Sequence, residues 1–191
     1  MISLTGFGPF PGVPRNASAD LVERLASRRE RKVGVHTAVL PVAFEEVALA
    51  LERHFEGLAP APIALVATGV HRGDSLRIES RAGRVATSFK PDAAGRVGQG
   101  HDPNPAWEAE LYSGLDLDEI ARVLGDGPGP EVTRSDDAGG YLCERVYYLT
   151  LRKARALGVP ALFVHIPGVE HGPVEDLLPA FDRLLDHLAE R

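Results

Sequence analysis

Short apolar runs of strand length alternate along this chain with stretches whose apolar residues recur every three or four positions, and that alternation most constrains the fold. Runs at Ile2–Thr5, Val33–Val39, Ile63–Thr68, Ser75–Ile78, Arg84–Ser88, Glu131–Thr133 and Ala161–His165 predict strands. Ser18–Arg28, Phe44–Phe55, Leu117–Leu124, Tyr141–Leu157 and Val174–Ala189 predict helices. Strands joined through helices pack into a covered sheet. The expectation is therefore an α/β protein, a single three-layer α/β/α catalytic domain over 1–191 with a largely parallel or mixed central sheet. With 191 residues, 44% of them hydrophobic, the chain can bury one core and is short for two. Two stretches rich in Gly, Pro and Asp, Gly6–Ala17 and Phe89–Pro105, break the pattern and are read as functional or mobile loops.

Chemistry is concentrated around the one cysteine. Ser135, Asp137, Gly139 and Gly140 lead into a helix-compatible run at Tyr141, which places Cys143 in the first turn of a helix. Unpaired N–H groups there favour an anion, and the thiolate is the nucleophilic form of cysteine. The bland alternative is a small buried hydrophobe. His165 shifts the balance, because it ends an apolar strand bounded by Gly158 and Pro160 before it and Pro167-Gly168 after it. Strand carboxyl ends in an open α/β sheet face the ligand crevice, where a neighbouring helix also starts. A Cys-His nucleophile pair is the reading favoured over a histidine that is only a hydrogen-bonded core group.

A third group would orient the histidine. Glu79, after a strand-like run, can reach the crevice, or it can be a solvated strand-end charge paired with an arginine. Asp136 and Asp137 are read as helix caps and turn formers. The loop Thr5-Gly6-Phe7-Gly8-Pro9-Phe10 lacks the third glycine of a dinucleotide site, and its prolines remove backbone donors. Phe7 and Phe10 fit either the walls of a small apolar pocket or plain core packing, and Asn16 a cap or turn before the first helix. His36, His54, His71, His101, His171 and His187 show no paired ligand spacing, so no metal is expected and each is read as a surface or loop residue, His171 also as a backup base.

Taken together, these residues resemble the pyroglutamyl peptidases, cysteine exopeptidases that remove an N-terminal pyroglutamate. Thr5-Gly6-Phe7-Gly8-Pro9-Phe10 with Asn16-Ala17-Ser18 is similar to the family's opening segment, and Leu40-Pro41-Val42 to the segment before its second helix. Ser135 through Cys143 is similar to its cysteine signature and Phe163-Val164-His165-Ile166-Pro167 to its histidine strand. The resemblance implies Cys143 as nucleophile, His165 as general acid/base, Glu79 as orienting carboxylate and a thioester intermediate. It also implies that Phe7 and Phe10 hold the pyroglutamyl ring, with Asn16 beside them in the binding segment. Arg77 stands where the family pattern has Ser or Thr, Ser80 where it has a basic residue, and Glu144 replaces a smaller polar residue.

The implied partners are peptides with an N-terminal pyroglutamate, with no cofactor and a homo-oligomer, dimer or tetramer, as the assembly. Two readings from other classes compete: a nucleoside phosphorylase-like transferase using Arg72, Arg77 or Arg84 for phosphate, and a catalytically silent pyroglutamyl-peptide binder. The formal charge of −6 has no long single-sign block, which argues against nucleic acid or an anionic membrane as partner. The one dense basic cluster, Arg28 to Lys32, reads as a solvated turn. No apolar run approaches the about 20 residues of a membrane span, and one cysteine excludes an internal disulfide. A cytoplasmic protein is expected.

Overall fold

The computed structural model describes residues 1–28 and 32–191. Three members of the basic cluster, Arg29, Glu30 and Arg31, lie outside the described residues. Its flanks are paired, Arg28 with Asp182 at 2.9 Å and Lys32 with Glu190 at 2.7 Å.

In chain order the elements are β1 (Ile2–Phe7), α1 (Ala17–Ser27), β2 (Val35–Leu40), α2 (Phe44–Glu56), β3 (Ala64–His71), β4 (Leu76–Glu79), β5 (Arg81–Gly83), β6 (Glu110–Tyr112), α3 (Leu117–Gly125), β7 (Val132–Ser135), α4 (Leu142–Leu157), β8 (Ala161–Pro167) and α5 (Leu178–Ala189). Six strands form one sheet in the order β2-β1-β3-β8-β4-β7. The pairs are parallel except β4 against β8, where the chain turns back after β3 through a turn too short to hold a crossover helix. The mostly parallel α/β architecture agrees with the sequence.

Side-chain alternation along β8 divides the core in two. Leu162, Val164 and Ile166 join residues of α1, α3 and α5 on one face, whereas Ala161 and Phe163 join residues of α2 and α4 on the other. His165 shares the second face. β1 and β8 are buried throughout, which explains why they read as continuous apolar runs.

Two expectations are corrected. Arg84–Ser88 is not a strand, because its amides bond outward to loops: Ala86 to the carbonyl of His101, Thr87 and Ser88 to that of Gly140. The short strand precedes it at β5, paired with β6, and three residues are too few to show a period. The last helix starts late, because Val174–Leu177 forms a 3-10 turn and Pro179 stands in the first turn of α5.

Candidate active site

Register places the site. In the parallel pair β3–β8, Gly69 lies opposite His165, and in the antiparallel pair β4–β8, Arg77 lies opposite His165 and Glu79 opposite Phe163. Opposed residues share a face, so Gly69, Phe163, His165, Arg77 and Glu79 all point toward the α4 side. Glu79, diagonal to His165 in this grid, reaches it. Its Oε1 lies 2.7 Å from His165 Nδ1, with Glu79 wholly buried and His165 5% exposed. Fixing Nδ1 leaves Nε2 to face outward.

Cys143 enters from above, in the first turn of α4. A side chain at Gly69 would bring its Cβ within 2.7 Å of Cys143 Sγ and 3.1 Å of the Phe163 ring. The missing side chain on β3 is thus the space the sulfur occupies, one strand from His165. The cysteine favours the charged form of the imidazole. Burial opposes charge on that ring, but Cys143 and Glu79 outweigh it and raise the His165 pKa from 6.5 to about 9. Near neutral pH His165 is a cation. Arg77 completes the base of the site, donating to Ser135 Oγ at 2.6 Å and lying 3.8 Å from Glu79 Oε1.

The start of α4 is held by a residue the sequence offered only as a replacement. Glu144 accepts from the Gly140 amide at 2.6 Å with one oxygen and from the Gly83 amide at 2.8 Å with the other, tying the cysteine helix to β5. Gly140 has φ +63, and a Cβ there would meet Thr87 Oγ1. Asp136 and Asp137 do not cap the helix. Tyr141 occupies that position without a side-chain bond, and Asp137 instead accepts from Gly139 at 2.8 Å to shape the turn. The first bond of α4 runs from the Arg145 amide to the Tyr141 carbonyl, leaving the amides of Leu142, Cys143 and Glu144 outside the helical ladder.

Around this centre, Phe7 is 3% exposed and packs in the core beneath α2 and α4, whereas Phe10 is half-buried. Asn16 is 3% exposed, and its amide donates to the Gly8 carbonyl at 2.9 Å while its oxygen accepts from Ser18. It thereby caps α1 and shapes the Phe7–Phe10 loop. Two histidines depart from the surface reading. His54 is buried against Ser3, and the His71 ring centre lies 6.0 Å from that of His165, locked by bonds to Ser75 and Gly73. His171 bonds the Arg72 carbonyl at 3.1 Å. Among the described residues no three His, Cys, Asp or Glu side chains gather as metal ligands.

The model of the family described as pyroglutamyl peptidase matches residues 1–179. The chain belongs to the pyroglutamyl peptidase family. It is accordingly a hydrolase, a peptidase of the cysteine type. A pyrrolidone-carboxylate peptidase of Gloeobacter violaceus is 32% identical over 173 residues, covering 87% of this chain and 80% of that one. One from Pyrococcus furiosus is 30% identical over 169 residues with the same coverage. The solved pyrrolidone carboxyl peptidase of Thermus thermophilus superposes with a TM-score of 0.85 at 30% identity, covering 98% of this chain and 100% of that one. That of Fervidobacterium islandicum AW-1 gives 0.88 at 25% identity, covering 99% and 98%. No helix among the described residues is long and apolar enough to cross a membrane.

Proposed function

We propose that this chain removes pyroglutamate from the amino terminus of peptides, with Cys143 as nucleophile, His165 as general acid/base and Glu79 as the carboxylate that orients and charges the imidazole. The observation that carries the reading is the 2.7 Å contact between two buried groups, His165 Nδ1 and Glu79 Oε1, with Cys143 Sγ lodged over Gly69 beside them. The Cys143 thiolate attacks the carbonyl carbon that joins pyroglutamate to the next residue, while amides at the start of α4 stabilise the oxyanion. His165 gives its proton to the leaving amine, which departs and leaves a thioester. The neutral imidazole then takes a proton from water as that water attacks the thioester carbon, and collapse of the tetrahedral intermediate breaks the carbon–sulfur bond, releasing pyroglutamic acid and leaving the thiolate beside the imidazolium that kept the proton. Pyroglutamate carries no ammonium, which suits a pocket walled by aromatic side chains such as Phe10. The transferase alternative finds two of its arginines already engaged, Arg77 with Ser135 and Arg84 with Asp102 at 3.0 Å.

The test is release of a fluorogenic amine from its pyroglutamyl amide. Wild type turns it over, Cys143→Ala loses at least about a thousandfold in kcat, and Glu79→Gln is strongly reduced. Binding of a pyroglutamyl peptide without wild-type turnover would instead establish the silent binder.

A further inference from the structure

Lys90 stands in the loop between β5 and β6 with its ammonium 4.3 Å from the centre of the Phe10 ring and 5.2 Å from that of Tyr141. These rings come from separate parts of the chain, one from the loop after β1 and the other from the residue that begins the cysteine helix. The Lys90 backbone is anchored to that helix. Its amide donates to Ser88 Oγ at 3.1 Å, the Ser88 amide donates to the Gly140 carbonyl at 3.0 Å, and the Tyr141 hydroxyl donates to the Pro91 carbonyl at 3.0 Å.

The charge surroundings of Lys90 are one-sided. Among the described residues its ammonium has no ion pair and no hydrogen-bond acceptor, so three donors remain available beside two aromatic faces. The charged groups that act on it are Arg72 and Cys143. Burial first, and then Arg72, hold its pKa below the usual lysine value, while the cysteine opposes them. A bound ring with a free carbonyl oxygen would gain a charged donor here. A ring with a protonated nitrogen, as in an amino-terminal proline, would meet the like charge of a lysine that no carboxylate pairs among the described residues.

We propose that Lys90 is a specificity-determining residue of the reaction, donating a hydrogen bond to the ring carbonyl of pyroglutamate held at Phe10 and Tyr141 and, with Arg72, turning away amino termini that carry a positive charge. This rests on the pyroglutamyl reading above. The test measures inhibition by pyrrolidin-2-one, a neutral lactam, and by pyrrolidine, a cation of the same ring size, during hydrolysis of a pyroglutamyl anilide by wild type, Lys90→Met and Lys90→Arg. In Lys90→Met the inhibition constant of the lactam and the KM of the anilide rise about tenfold, as loss of one charged hydrogen bond requires, while inhibition by pyrrolidine strengthens. Lys90→Arg keeps the wild-type ratio of the two inhibition constants. A structural role alone would lower kcat and leave that ratio unchanged, so an unchanged ratio in Lys90→Met with active wild type overturns the inference and spares the pyroglutamyl reading. No wild-type hydrolysis of the anilide would overturn both.

Discussion

Cys143 and His165 are readable at the level of single residues because each sits on a periodic element, one at a helix start and the other within an apolar strand, and those patterns predict where the side chains converge. Gly69 is not readable in the same way. Its lack of a side chain matters only because a sulfur 74 positions later in the chain fills the space, a relation created by the packing of α4 on β3. Gly69→Ala should therefore keep the fold, checked by circular dichroism, and lower kcat/KM about a hundredfold, since moving a nucleophile by about 1 Å has a cost of that order. Glu79 could be named from sequence only among several acids, because its partner comes from a strand far along the chain. With the His165 pKa at about 9, the imidazolium persists through neutral pH and is lost as pH rises through that value. The alkaline limb of kcat/KM should thus lie near 9 in wild type and move to lower pH in Glu79→Gln, whose neutral amide supports the imidazolium less. An unmoved limb would mean that Glu79 does not set the charge of His165.

Elements long enough to show a period are the ones the sequence identifies: among the described residues, the five α-helices and the six strands of the main sheet, within a few residues. β5 and β6 fail that condition, and the apolar pair Val85-Ala86 draws the expected strand past its true place. The loop wins there because Arg84 is tied to Asp102 and to loop carbonyls, and neighbouring amides bond Gly140 and His101. The same loop brings Lys90 to the crevice, which no periodicity could announce. Glu144 links these irregular pieces to α4 by two short bonds. Glu144→Ala should lower unfolding stability by about 1–3 kcal/mol, read by urea denaturation, and reduce kcat more than it raises KM, because the oxyanion amides lose their anchor. A stability loss with unchanged kcat would assign Glu144 to folding alone.

For the whole molecule, the layered core couples stability to pH at a place remote from catalysis. His54, on α2, is buried beside β1, accepts or donates at Ser3 Oγ 2.8 Å away, and packs 4.9 Å from the His36 ring. Burial first and His36 second lower its pKa from 6.5 to about 4. Between those values the unfolded chain binds a proton that the folded one does not. Stability therefore falls as pH drops through this window, by up to about 1.4 kcal/mol per pH unit from this group. Urea midpoints at pH 7 and pH 4.5 should differ less in His54→Gln than in wild type, and an equal difference would remove His54 as a cause. The sequence reading of His54 as a surface residue misses this because its position on the buried face depends on how α2 lies over β1. Catalysis integrates all these layers through one bond, and the most direct measurement is acid quenching during turnover of a pyroglutamyl ester followed by mass analysis of the Cys143 peptide. The account predicts one pyroglutamyl group on that peptide in wild type and none in an inactive Cys143→Ala. Turnover at the wild-type rate by Cys143→Ala, with no label on the wild-type peptide, would contradict it.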